Sequence, residues 1–223
     1  MEDYRINKIY ASPEDMYSWQ DRIKGYIAGT ENCDGITILA PEGYGKTYFC
    51  RDVVNEGLEM LSPGANVLYY SPDNKTCDRV AVTSAFIQKG HMTKDYTVTN
   101  EEQQTIVVPA SMAQLKKILS SAMKFDLIVI DDADMISNPV LHSVVLKNMI
   151  DDGKLIIVGT SYERQEVQLT KSIWKWLLNH PCYTAFEVIR PSSIADSEEY
   201  DSGNLALSHL ISILHPQNYR YTA

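Results

Sequence analysis

Cysteine is scarce in this chain, and its few copies stand apart. Cys33, Cys50, Cys77 and Cys182 show no C-x-x-C spacing and no pairing with histidine. That pattern argues against a thiolate metal site or a disulfide framework and fits reduced thiols in an intracellular protein. Long apolar runs are also missing, since none approaches the roughly 20 residues that a membrane-spanning helix needs. The first residues, Met1 to Tyr10, are polar and charged, unlike a secretory signal. The expected location is the cytoplasm, the host's if the chain is viral, with no membrane partner. Basic charge is short as well: 20 Lys and Arg face 29 Asp and Glu, for a net charge of −9. The overall basic surface that usually marks a nucleic-acid protein is therefore absent, and such contact would need a local basic stripe or a partner subunit. Internal repeats and low-complexity tracts are absent too.

What the chain does have is enough apolar material, 44% of 223 residues, for one sizeable core with a small appendage. Two full nucleotide-binding lobes would not fit comfortably. Strand-like runs cover 36–40, 66–71, 105–109, 126–131, 154–159 and 183–189. Helix-like stretches lie near 13–28, 46–61, 75–89, 111–123, 138–151 and 165–179, and a last apolar-periodic run covers 203–214. Alternating strands and helices predict an α/β fold with a mostly parallel sheet covered on both faces. Leu127-Ile128-Val129-Ile130 and Leu155-Ile156-Ile157-Val158 are apolar without alternation, as central strands buried on both faces read. Segment 90–104 is polar and reads as a loop or short insertion. Residues 191–203 read as a linker, so the expected organisation is a domain over 1–190 and a linker with a C-terminal helical segment over 191–223.

The richest local signal is Ala40-Pro41-Glu42-Gly43-Tyr44-Gly45-Lys46-Thr47, between a strand and a helix. This is the P-loop arrangement, with alanine at the first motif position instead of glycine. Glycines let successive backbone N–H groups approach phosphate oxygens, and the helix N-terminus adds positive potential. Lys46 is expected to reach the β- and γ-phosphates of ATP, and Thr47 to hold Mg²⁺ through its hydroxyl.

A second signal is the strand Phe125 to Ile130 ending in Asp131-Asp132-Ala133-Asp134. An apolar strand ending in acids is the Walker B arrangement: Asp131 would hold Mg²⁺ and Asp132 would orient the attacking water. Asp132 stands where many such proteins carry glutamate and is one methylene shorter. Next comes Lys154 to Val158, ending in Gly159-Thr160-Ser161. In ATPases with an extra strand between the P-loop and Walker B strands, this place senses the γ-phosphate, a role for Thr160 or Ser161; the competing reading is a loop start with only local hydrogen bonds. Upstream, Gln20 could read an adenine edge and Trp19 could pack under the base, or both could simply face the core. Arg164, Arg190, Arg79 and Arg51 are candidates for charge stabilisation, with Arg164 favoured for its closeness to Ser161. Lys116, Lys117 and Lys124 could touch a phosphate backbone or form a solvated helix face.

The order of these motifs resembles the first lobe of superfamily 2 helicases. Thr105 to Ser111 and Phe125 to Ile136 match the middle of that core, with D-D-A-D in place of D-E-A-D. Trp19-Gln20 stands where those proteins carry a glutamine, Gly159-Thr160-Ser161 where they carry a coupling triplet, and Val67 to Pro72 where a strand precedes the first nucleic-acid-contacting loop. With one nucleotide-binding lobe, the chain also resembles the ATPase domain of viral and phage terminase large subunits. The resemblance covers roughly residues 15–162. It implies a three-layer RecA-like fold, Mg²⁺-dependent ATP hydrolysis, a nucleic-acid track that is DNA, and an arginine supplied in trans by a homo-oligomer or second domain.

Two rival readings remain. One is an AAA+-like regulatory switch or loader acting on a protein partner, with Phe186-Glu187-Val188-Ile189 beginning its lid. The other is the superfamily 3 helicase domain of a viral replication initiator, whose acidic strand usually comes closer after the P-loop than here. A nucleoside kinase fits the D-D-A-D strand less well than water attack does.

Overall fold

In the computed structural model the described residues are 6–12, 15–29, 35–72, 90–92, 97–100, 102–160, 177 and 183–190. In chain order the elements are β1 (Ile6–Tyr10), α1 (Met16–Gly29), β2 (Gly35–Ala40), α2 (Lys46–Met60), β3 (Asn66–Tyr70), β4 (Gly90–Met92), β5 (Thr97–Asn100), β6 (Thr105–Val107), α3 (Met112–Leu119), β7 (Leu127–Ile130), α4 (Asn138–Asp151), β8 (Lys154–Thr160) and β9 (Tyr183–Ile189). A short 3-10 turn, Ala133–Met135, sits between β7 and α4. The helices expected near 75–89 and 165–179 (Leu177 apart) and the segment 191–223 lie outside the described residues.

The strands form one 9-stranded sheet in the order β1-β9-β2-β8-β7-β3-β6-β5-β4. Every pairing from β1 through β6 is parallel, and only the β6–β5 and β5–β4 pairings are antiparallel, so β5 alone runs against the rest. The unalternating apolar strands occupy the centre: β2 and β7 are buried along their whole length, and β8 along all but Lys154. Two helix layers cover the faces. Trp19 and Ile23 of α1, with Phe49, Cys50, Val53 and Val54 of α2, join one core. Leu115 and Leu119 of α3, with Val140, Leu141, Val144 and Val145 of α4, join the other. This is a three-layer α/β fold of the RecA-like P-loop type.

Two expectations are corrected, and one strand is new. Segment 90–104 is not simply a loop: Thr97–Asn100 pairs antiparallel with β6, and Gly90–Met92 with β5. Its threonines and histidine hide it from a hydrophobic pattern, since β5 fully buries Val98 alone. Ile6–Tyr10 forms a strand as well, with Asn7 and Lys8 exposed on the opposite edge. The place of β9 between β1 and β2 also removes the idea that Phe186 to Ile189 begins a lid.

The order β2-β8-β7 is what positions the chemistry. It inserts β8 between the strand leading into the P-loop and the strand ending in acids, and sets Ala40 abreast of Thr160. All three parallel strands deliver their carboxyl ends to one edge, where such sheets place ligands.

Candidate nucleotide site

The P-loop leaves β2 at Ala40 and enters α2 at Lys46. Gly43 and Gly45 adopt φ of 81° and 72°, the left-handed region that glycine enters without a Cβ penalty. A Cβ built on Gly43 would meet nothing within 4 Å, so the loop crest borders open space. Glu42 and Gly43 are exposed there, and Pro41 is half-buried. Lys46 is almost buried, and its ammonium donates to the carbonyls of Ala40 at 3.4 Å and Pro41 at 3.1 Å. The ammonium thus closes the loop on itself.

The loop is braced from behind. The Trp19 indole N–H donates to the Tyr44 carbonyl at 3.2 Å, and the Gln20 amide to the Gly45 carbonyl at 3.1 Å. The Tyr44 hydroxyl donates to the Ala11 carbonyl at 3.2 Å. Trp19 packs against Phe49, ring centroids 5.2 Å apart. Trp19 and Gln20 are both buried, and the Gln20 Oε1 has no hydrogen-bond partner.

The acids at the end of β7 meet the P-loop across β8. The half-buried Thr47 hydroxyl lies beside the Asp131 carboxylate and favours its ionised form. Asp131 is fully buried, and its Oδ1 accepts the Asp132 N–H at 2.9 Å. Burial, then repulsion from the Asp132 carboxylate, pushes Asp131 up to about 6, while Thr47, the Asp132 N–H and Lys46 oppose the rise. Burial and the same two carboxylates push the neighbouring Cys50 thiol well up. Asp132 takes φ 46°, ψ 44°, a left-handed conformation that aspartate tolerates better than most residues. The fourth residue of D-D-A-D, Asp134, accepts the backbone N–H of Thr160 at 2.9 Å. A carboxylate of the acidic turn is thereby tied to the end of β8.

Thr47 and Asp131 present a hydroxyl and a carboxylate side by side, an oxygen pair suited to a hard divalent cation such as Mg²⁺. The neighbouring Asp132 carboxylate adds negative charge at the same place. The other anticipated residues stand apart from this cluster or cannot be placed. Arg164, Arg79 and Ser161 fall outside the described residues. Arg51 lies half-exposed over the Tyr48 ring, 4.8 Å from its centroid, and Arg190 is exposed past the end of β9. Lys116, Lys117 and Lys124 are exposed. Ser111 caps α3 by accepting the Gln114 N–H. Sequence reasoning missed Tyr69, Ser71 and Cys50 at the acids, and a role for Asp134. The first three touch Asp131 or Asp132 from other elements, and no local motif announces them.

No protein-family model matches the sequence, and no curated protein matches it either. Solved structures do. The ATPase domain of the large terminase of Thermus phage P74-26, in mutant form, superposes with a TM-score of 0.53 at 11% identity, over 91% of this chain and 97% of that one. The large terminase of a thermophilic bacteriophage, in complex with ADP, gives a TM-score of 0.53 at 12% identity, over 90% of this chain and 50% of that one. The same terminase with ATP-γ-S gives 0.51 over a similar span. The chain thus matches nearly all of an isolated terminase ATPase domain and about half of a longer terminase chain. At such identity the likeness establishes a shared fold.

Proposed function

We propose that this chain is a Mg²⁺-dependent ATPase domain of a nucleic-acid motor, of the terminase or helicase kind, working on DNA and viral in origin. The observation that carries the reading is the meeting of Thr47 with Asp131 beneath a glycine-bearing P-loop, with Lys46 beside both and the end of β8 between them. The likeness to terminases, one of them solved with ADP and with ATP-γ-S, supports it. The acidic composition weighs on the track: contact with DNA would run through local basic groups or a partner.

Each residue of the site takes a separate role. Backbone N–H groups from Glu42 to Thr47 bind phosphate oxygens, and the Lys46 ammonium exchanges its two carbonyl partners for phosphate. Thr47 and Asp131 would hold Mg²⁺, which supplies charge neutralisation on the phosphates. Asp132 orients the attacking water. Thr160, held by Asp134 through its N–H, reports γ-phosphate loss to β8 and the chain beyond it. Trp19 and Gln20 fix the P-loop carbonyls so that its N–H groups face outward. Their burial means that reading an adenine edge through Gln20 Oε1 would require the loop to shift. Arg164, or an arginine in trans from a homo-oligomer or second domain, supplies the remaining positive charge.

The test is steady-state ATP hydrolysis with and without single- and double-stranded DNA and RNA, at low salt because phosphate contacts weaken steeply as salt rises. Expected is Mg²⁺-dependent turnover stimulated by DNA and abolished in a folded Lys46→Ala variant. Turnover indifferent to every polymer would refute the motor and leave the partner-loading switch. No turnover and no nucleotide binding would refute the ATPase itself.

A further inference from the structure

The carboxyl end of β3 reaches the same acids from the far side. Tyr69 is fully buried, and its hydroxyl donates to Asp131 Oδ2 at 3.5 Å. Two residues on, the half-buried Ser71 hydroxyl donates to Asp132 Oδ2 at 3.4 Å. Ser71 follows directly on β3, two residues past Tyr69, the spacing that shares a face in extended chain, so one side of this segment addresses both acids in turn. The register explains the match: Tyr69 pairs with Val129 and Tyr70 with Ile130, which brings Ser71 abreast of Asp131. The Thr47 hydroxyl and the Cys50 thiol of α2 also lie near Asp131.

We infer that Tyr69 and Ser71 are positioning residues, Tyr69 for the metal-holding carboxylate of Asp131 and Ser71 for the water-orienting carboxylate of Asp132. The inference rests on the ATPase reading above and names two residues of that site. The physical need is plain. A carboxylate that must present one oxygen to a cation and another to a neighbour performs only in a fixed orientation, and outer hydrogen-bond donors fix it. A fully buried phenol has no solvent to turn to, so its hydroxyl must find a partner inside. Contacts of 3.4–3.5 Å are long for O–H···O bonds. Such contacts in ligand-free sites commonly tighten on loading. Tyr69 and Ser71 touch the acids rather than the reacting groups, so their effect passes through Asp131 and Asp132.

The experiment measures two things in Tyr69→Phe, Ser71→Ala and Ser71→Thr. The first is binding of a fluorescent ADP with and without Mg²⁺; the second is ATP turnover across a Mg²⁺ titration. In Tyr69→Phe, metal-free ADP affinity should hold while the Mg²⁺ needed for half-saturation rises about tenfold. In Ser71→Ala, kcat should fall about tenfold at unchanged KM, and Ser71→Thr should restore it. Mg²⁺ half-saturation and kcat within about twofold of the parent in both variants would overturn the inference. So would metal-free ADP affinity falling together with melting temperature, the mark of a packing role alone. A parent chain that binds no nucleotide refutes the ATPase reading instead, so the two failures are distinguishable. Should Tyr69→Phe fail to fold, the Ser71 pair decides, because Ser71 is only half-buried.

Discussion

Replacing Asp131 by asparagine should stabilise the nucleotide-free protein while removing its activity. Asp131 is buried beside a second carboxylate, and folding lifts its pKa from 3.8 to about 6. The folded state therefore holds the proton more tightly than the unfolded chain. Below pH 3.8 both states carry it and no penalty exists. As pH rises through the window from 3.8 to about 6, ionisation of the buried group costs the folded state stability, and above about 6 the loss is complete. A rise of roughly two units, at about 1.4 kcal/mol each, makes that loss on the order of 3 kcal/mol at about pH 7.5. Asparagine stays neutral across the range and keeps an oxygen for the Asp132 N–H. In a domain of this size the gain corresponds to a melting temperature higher by roughly 6–12 °C. Calorimetry of parent and Asp131→Asn from about pH 4 to about pH 8, without nucleotide or metal, reads it directly. The gap between the two should be near zero at about pH 4, open as pH rises and level off above about 6. No gap at about pH 7.5, or a gap that widens on acidification, would refute the reasoning. Added Mg²⁺ should then increase the protection that ADP gives the parent and add nothing to the protection that ADP gives the variant.

Asp132→Asn should keep nucleotide affinity and the left-handed turn, which asparagine tolerates, and lower turnover; unaltered turnover would remove Asp132 from the water-orienting role. Asp151→Ala should destabilise the fold by about 3–5 kcal/mol in urea titration, because it leaves the buried Lys147 ammonium, 2.9 Å from Asp151, with the Ser121 and Met123 carbonyls but no counter-charge, and takes the acceptor from the Phe125 N–H; a loss under about 1 kcal/mol would show that the two carbonyls suffice for the ammonium. Gly153→Ala should cost about 1–3 kcal/mol by the same measurement, since a Cβ there would collide with the Phe125 carbonyl oxygen, and a neutral effect would contradict that close approach.

Much of the site was legible in the sequence for a local reason. A phosphate cradle needs glycines, a lysine and a hydroxyl at fixed spacing, and a metal-holding strand needs an apolar run ending in acids; both are short stretches of chain. Central strands announced themselves because burial on two faces leaves no polar alternation. The strands at and near the sheet's edges stayed hidden: β1 fully buries only Ile9 and β5 only Val98, too little for an apolar pattern. Trp19 and Gln20 were singled out by position, but only the fold shows their side chains on the P-loop carbonyls.

The sequence by itself determined the layered α/β class, the P-loop and the acidic strand, because each is written in residues close together along the chain. The tertiary structure alone decided that β8 lies between them, that Thr47 meets Asp131, that Asp134 holds the Thr160 N–H, and that Tyr69 and Ser71 reach the acids. The last two contacts span 62 and 61 positions of chain. Strand order and register create them, and no local pattern of residues encodes which distant strand will lie alongside.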